Sequence, residues 1–258
     1  MKCTVVFSSQ DIAGKNIADK LIKLFNFEKK GDKWVKGELE LIQVETKIVD
    51  AEHLYDKETD FLVFISKHRS ETGKPCLTAH TPGNWGAAEL GGKPKQVCPC
   101  FPSKMKIVLR ELNSLNDLGW QVCAEVDHHG PLTKAPALFV EIGSTEKEWQ
   151  NARAGEIVAS AVMKMLSPNE TFPAAFGIGG GHYAPSFTKV ILEKESAVGH
   201  MLPKYYIDGI ELEGFRQGVE KSAEKIELAL LDWKGMNKEQ REKITGFLKE
   251  MSLDYRKI

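Results

Sequence analysis

Short apolar runs alternate with amphipathic stretches along almost the whole chain. "KCTVVFSS" (2–9) is a β-branched apolar run ending in small polar residues, the pattern of a buried strand. "DIAGKNIADKLIKLF" follows, with Ile12, Ile17, Leu21, Ile22, Leu24 and Phe25 at helical spacing and Asp11 placed to cap it. "ELELIQVE" and "DFLVFISK" predict two more strands, and "KPCLTAHTPGNWG" a short strand breaking into a Pro-Gly loop. A helix is predicted over about 103–116, then two strands, "QVCAEV" and "ALFVEIG", separated by "DHHGPLTKAP". The predicted long helix over 146–166 opens on Thr145-x-x-Glu148, a capping box, and gathers Trp149, Ile157, Val158, Ala161, Val162 and Met165 on one side. "FPAAFGIGGG" reads as a strand running into a glycine turn, and the tail ends on a charged amphipathic helix from about Asn237. No repeat or low-complexity linker interrupts this order, so 1–258 is expected to be a single domain. The interleaving predicts an α/β three-layer sandwich around a mixed, mainly parallel sheet. Sites in such sheets form beyond the strands' carboxyl ends.

The 258 residues suffice for a full core, and 42% hydrophobic with 28% charged residues is an ordinary globular composition. The first apolar run is too short for a signal peptide and no stretch approaches a membrane span, so a cytoplasmic protein without a membrane partner is expected. A net charge of −1 excludes a generic polyanion binder and leaves only local patches for nucleic acid. One such patch, "GGKPKQVCPCFPSKMKIVLR", carries Lys93, Lys95, Lys104, Lys106 and Arg110 without an acid; a second holds six lysines between Lys20 and Lys36 against Glu28 and Asp32. Five irregularly spaced cysteines argue against a disulfide framework, and "CPC" (98–100) is neither a zinc ribbon nor a thioredoxin motif.

Candidate chemistry collects at strand ends. "GIGGGHYAP" (177–185) places His182 after four glycines in five positions, an entropic cost that calls for φ > 0 or for something approaching too closely for a Cβ. His68, His80, His128 and His129 also fall at strand ends or in loops, and converging imidazoles can bind a metal or move protons near neutral pH. Alternation along a regular strand would send His128 and His129 to opposite faces, unless the strand has already ended. Glu141 stands between Val140 and Ile142 in an apolar strand, where a buried carboxylate needs a partner or a metal. A Walker loop, HExxH, GxSxG and GxGxxG are all missing, which favours an activated water over a covalent intermediate.

"HRSETGKPCLTAHTPGNWG", "DHHGPLTKAPALFVEIGSTEKEW" and "GIGGGHYAPSFT" together resemble the archaeal and plant-type D-aminoacyl-tRNA deacylases. "FSSQDIAGKNIADKL" and "AVGHMLPKYYIDG" extend the resemblance over most of the chain. It implies hydrolysis of the ester joining a D-amino acid to the tRNA 3′ end, zinc dependence, and a fold similar to peptidyl-tRNA hydrolases and nucleoside phosphorylases. Carried onto this sequence, it implies a centre of His68, His80, His129, His182 and Glu141 without assigning which of them hold metal. His80, His129, Glu141 and His182 are the ligands expected, His129, His182 and Glu141 are expected to be catalytic, and a metal-free route with His129 or His182 as general base stays open. His68, Glu71, Gly179, Gly180, Gly181, Tyr183 and Trp85 are then expected at the substrate's CCA end, and Lys93, Lys95, Lys104, Lys106 and Arg110 at tRNA phosphates. The glycines would serve as an anion nest, and Trp85 and Tyr183 as stacking surfaces. A monomer is expected rather than an obligate oligomer. Two rivals remain: a zinc-dependent peptidase or acylamino acid hydrolase of related fold, and a non-catalytic tRNA-binding module.

Overall fold

The computed structural model describes residues 1–168 and 170–258. Its main sheet has eight strands: β1 (Cys3–Ser8), β2 (Glu28–Lys30), β3 (Lys33–Lys36), β4 (Leu39–Val44), β5 (Phe61–Arg69), β6 (Cys76–His80), β9 (Gln121–Ala124) and β10 (Ala137–Ser144). They lie in the order β2-β3-β4-β1-β5-β10-β6-β9. The four central strands, β4, β1, β5 and β10, are parallel; β6 runs antiparallel to β10, and β9 runs parallel to β6. "QVCAEV" and "ALFVEIG", consecutive strands along the chain, are therefore separated in the sheet by β6. Between β6 and β9 in sequence, β7 (Gly83–Asn84) and β8 (Gln96–Val97) form a small hairpin.

One face of this sheet packs on helices α1 (Ile12–Phe25), α2 (Pro102–Leu115) and α4 (Ala152–Leu166), where Val5, Val63, Ile65, Leu138, Val140 and Ile142 join the largest core. On the other face Val6, Leu62, Phe64, Ala137 and Phe139 meet Ile48, Ala51, Leu54 and Leu132 from short 3₁₀ turns and loops rather than from long helices. Asp11 caps α1 by accepting from Gly14 N at 2.8 Å. The predicted helix over 146–166 is two helices. Thr145 and Glu148 form the expected capping box on the short α3 (Glu146–Trp149), and Asn151 caps α4 separately by accepting from Ala154 N.

The sequence did not foresee the second sheet. β11 (Ala174–Ile178), β12 (Ala197–Leu202), β13 (Ile226–Leu231) and β14 (Tyr255–Lys257) are all parallel, in the order β12-β11-β13-β14. Helices α5 (Pro185–Glu193), α6 (Lys204–Ile207), α7 (Leu212–Glu220) and α8 (Lys238–Glu250) connect or follow these strands. Phe176, Phe215, Ile207, Leu231 and Ile244 form its core. The two sheets are tied by a buried ion pair. His200 Nδ1 on β12 lies 2.7 Å from Asp127 Oδ2, and its Nε2 lies 2.7 Å from Lys221 O. Both ring nitrogens face acceptors, so both carry protons, and the ring is an imidazolium beside a carboxylate. Asp127 Oδ1 also accepts from Met201 N.

The basic stretch expected at phosphates is dispersed by α2. Lys104 Nζ donates to Met165 O and Ser167 O at the end of α4. Lys106, fully buried, donates to Ile191 O, Lys194 O and Ser196 O at the end of α5. Arg110 donates to Lys194 O and lies over Phe172. Lys104 and Lys106 are thus corrected from phosphate contacts to caps on helix C-termini, where an ammonium meets orphan carbonyls and the negative dipole end. Lys106→Met is expected to lower folding stability by about 3 kcal/mol, because three carbonyls lose a buried donor at once. Urea denaturation measures this, and an unchanged midpoint would show that the carbonyls do not depend on this ammonium.

Candidate active site

Strand register builds half of the site. Glu141 on β10 lies directly across from Ser66 on β5 and Thr78 on β6, so the three side chains share a face. Two positions along β10, Gly143 pairs with His68 and Phe139 pairs with His80, which puts both histidines on that face as well. Gly143 makes room for this: a Cβ there would stand 2.7 Å from His68 Cδ2 and from Cys76 Sγ. His80 is fully buried and stacks on Phe139 with ring centroids 4.9 Å apart.

The other half comes from the loop after β9. That strand stops at Ala124, before Glu125, and His129 takes a left-handed φ of 44°. Alternation no longer applies, and His128 and His129 both turn toward His80, with ring centroids 4.0 and 4.8 Å from it. His182 enters from the turn after β11, 4.6 Å from His128 between centroids, and Val126 N bonds its carbonyl at 3.0 Å.

A shared tautomer makes this cluster more than an assembly of rings. His80 Nδ1 faces Thr81 O at 3.2 Å, His128 Nδ1 faces Val126 O at 2.8 Å, and His129 Nδ1 faces Gly130 O at 2.7 Å. A carbonyl only accepts, so each Nδ1 carries the proton and each Nε2 keeps a lone pair. Burial holds all the rings neutral: it lowers His68 and His129 to about 4, His80 and His128 well below their ordinary value, and His182 below it as well.

Two carboxylates complete the centre. Glu141 Oε1 accepts from Ser66 Oγ at 2.5 Å, and its Oε2 lies 3.7 Å from His80 Nε2 and 3.8 Å from His68 Nδ1. Glu125 is fully buried, 3.1 Å from His68 Nδ1, 3.6 Å from His128 Nε2 and 3.9 Å from His182 Nε2. Among the described residues neither Glu125 oxygen has a hydrogen bond, and His80 Nε2 has none either. Burial raises both carboxyls, and a neighbouring carboxylate adds to it, Glu141 at Glu125 and Asp11 at Glu141, so the pair needs a proton or a cation. Among the described residues, three groups of side chains could hold a metal: His80, His128 and His129; Glu125, His128 and His182; and His68, Glu125 and Glu141. Within each, the ligand atoms lie within 4.8 Å of one another.

The structure therefore brings together His68, His80, His129, Glu141, His182 and Tyr183. Tyr183 donates to Ser70 Oγ at 2.9 Å and lies 3.3 Å from His68 Nε2. Sequence reasoning missed Glu125 and gave His128 no role. The signal for Glu125 was present, a carboxylate in the apolar run "QVCAEV", as for Glu141.

Other expected residues stand apart. Trp85 is buried, stacks on Phe176 and donates to Met201 O, so it offers no face to a base. Gly179 and Gly180 do take positive φ, 103° and 75°, but they wrap Asp232: a Cβ on Gly180 would stand 2.9 Å from its Oδ2. A carboxylate there has the wrong sign for a phosphate nest, and only Gly181 borders open space. Glu71, Lys93 and Lys95 are exposed.

The sequence pattern of the D-aminoacyl-tRNA deacylase family matches residues 55–256. A protein of Pyrococcus furiosus named D-aminoacyl-tRNA deacylase is 40% identical, over 95% of this chain and 96% of its own length. One of the same name from Methanocaldococcus jannaschii is 35% identical over the full length of both. The crystal structure of a conserved protein of unknown function superposes with a TM-score of 0.91 at 30% identity, covering 99% of this chain and 94% of that one.

The neutral imidazoles fix the sign of a pH effect on the metal-free chain. Each is depressed on folding, so its contribution is complete above pH 6.5 and is lost as pH falls toward about 4. The two raised carboxyls act oppositely, losing stability as pH climbs above 4.5. Imidazoles outnumber carboxyls, so Tm of chelator-treated protein is expected to rise from pH 4.5 to 6.5 and then level or decline. His129→Gln should make that rise shallower; melts with the same slope in both proteins would contradict the assignment.

Proposed function

The chain belongs to the D-aminoacyl-tRNA deacylase family, and on that premise we propose that this centre hydrolyses the ester between a D-amino acid and the 3′ end of tRNA. The observation that best supports the reading is the convergence of three Nδ1-protonated histidines with two buried carboxyls, Glu141 bonded to Ser66 and Glu125 without a hydrogen bond.

His80, His128 and His129 are the set that suits zinc, since each has its other ring nitrogen bonded to a backbone carbonyl, the arrangement that orients metal-ligating imidazoles. Zinc held there supplies Lewis acidity to an ester carbonyl or a water. Glu141 and His182, expected as ligands, are better placed for orientation and proton movement. His182 is a partly exposed ring and is neutral at pH 7, so its Nε2 can take a proton from the attacking water. Glu125, 3.9 Å away, stabilises the imidazolium that results when a bound cation keeps it ionised. As the carbonyl carbon–oxygen bond breaks, His182 returns the proton to the departing ribose oxygen. The products are a free D-amino acid and a tRNA with its terminal hydroxyl restored.

The test is hydrolysis of D-tyrosyl-tRNA against L-tyrosyl-tRNA, with chelator and zinc add-back. Loss of only the D-ester, abolished by chelation and restored by zinc, is expected. His182→Ala is expected to lower kcat by about 10²–10⁴-fold with little change in KM. Hydrolysis of neither ester by the zinc-loaded chain would overturn the reading.

A further inference from the structure

A cleft of about 470 Å³ opens beside the centre, between the carboxyl ends of β1 and β5 and the loop after β4. His129, Phe139 and Glu141 line its inner wall, and Lys47, Lys67 and Arg69 belong to its lining as well. We propose that this cleft holds the phosphates of the single-stranded 3′ end of the RNA, one near each of these three cations, while the terminal ester reaches the histidines. The proposal rests on the ester-hydrolase reading and adds to it the surface that carries the nucleic acid.

Three observations support it. All three cations are exposed and, among the described residues, none has a carboxylate within 4 Å. In a chain of net charge −1, three adjacent unpaired cations are a local departure that favours an anion.

The acids in the same wall are already engaged. Asp11 accepts from Gly14 N and from Lys67 N, and Glu141 from Ser66 Oγ; nearby Glu45 accepts from Ser9 Oγ and Gln43 Nε2. Lys67, which alternation along β5 turns away from the Ser66 face, holds its Nζ over the Trp149 ring, 5.2 Å away, at the edge of the cleft it lines.

Topology gives the third. β1 connects through α1 toward β4 on one side, and the chain then crosses to β5 on the other, so the cleft lies at a switch point of the parallel strands, where α/β sheets bind ligands. The second cavity beside the centre, lined by Tyr183 and Cys123, is only about 180 Å³ and carries one cation, Lys74.

The experiment compares D-tyrosyl-tRNA with 3′-O-D-tyrosyladenosine, which keeps the ester and lacks every phosphate, on the zinc-loaded protein and its Lys47→Ala/Lys67→Ala/Arg69→Ala variant. The variant is expected to lose about tenfold or more in kcat/KM on the tRNA through KM, and less on the adenosine ester. The slope of log KM against log salt should fall by about 2, at roughly 0.7 per single-strand phosphate contact. Lys47→Glu alone, a reversal in an exposed loop, should move both readouts the same way should the triple variant fold poorly. An equal loss on both substrates, or an unchanged salt slope, would overturn the cleft's assignment. Hydrolysis of the adenosine ester as efficiently as of the tRNA by the parent protein would also overturn it, leaving the esterase reading intact. Hydrolysis of neither would remove both.

Discussion

Acceptors face acceptors in the centre of this protein. The Nε2 lone pairs of His80, His128 and His129 and the oxygens of Glu125 and Glu141 converge with few donors among them. A buried carboxylate without hydrogen bonds costs several kcal/mol, and a second one nearby raises that cost. Such a grouping is stable only when protons or a cation sit among the lone pairs. Protons on the raised carboxyls relieve part of this tension, but the imidazoles, which burial makes weak bases, keep their Nε2 lone pairs. A divalent cation could sit in any of the three groups that these side chains form, which is the sense in which the donor set suits a metal.

That electrostatic tension must be held by structure outside the centre. Gly83 N bonds His129 O at 2.7 Å, Gly130 N bonds Leu90 O at 2.8 Å, and Val126 N bonds His182 O. Asp127, adjacent to the two histidines, is locked to the second sheet through His200 and Met201 N. The second sheet therefore acts as a brace: it supplies His182 from the end of β11 and immobilises the loop that supplies Glu125, His128 and His129. Preorganisation of this kind lets polar groups act without the reorganisation that water would require.

What the sequence made legible was whatever depends on local pattern. The buried strands, the Asp11 cap, the Thr145–Glu148 box and the histidines at strand ends all follow from periodicity and residue type. What stayed hidden depends on where an element stops or which way it runs. His128 and His129 could not be placed without knowing that β9 ends at Ala124. The lysines of 93–110 looked like one patch because they are contiguous, yet α2 turns about 100° per residue and directs Lys104 and Lys106 toward different helix ends. Trp85 looked available because aromatic residues in loops often are, but its indole closes the core of the second sheet. Of the four glycines, Gly179 and Gly180 take positive φ, one of the two outcomes the pattern offers, and the group they accommodate is Asp232.

The direction of β6 explains why the centre is deep rather than open at the sheet edge. In an all-parallel sheet, histidines at the ends of neighbouring strands would sit side by side at the carboxyl edge. Because β6 runs antiparallel, its last residue, His80, lies beside Phe139, while His68 near the end of β5 lies beside Gly143. Glu141 is halfway between them, which brings one oxygen within 3.8 Å of each ring. A register slip of one residue on either neighbour would turn His68 or His80 to the helical face and take it from the carboxylate. The cluster is therefore specified by register, and the packing that fixes register, Phe64 on Phe139 and Phe139 on His80, places these side chains as much as it fills the core.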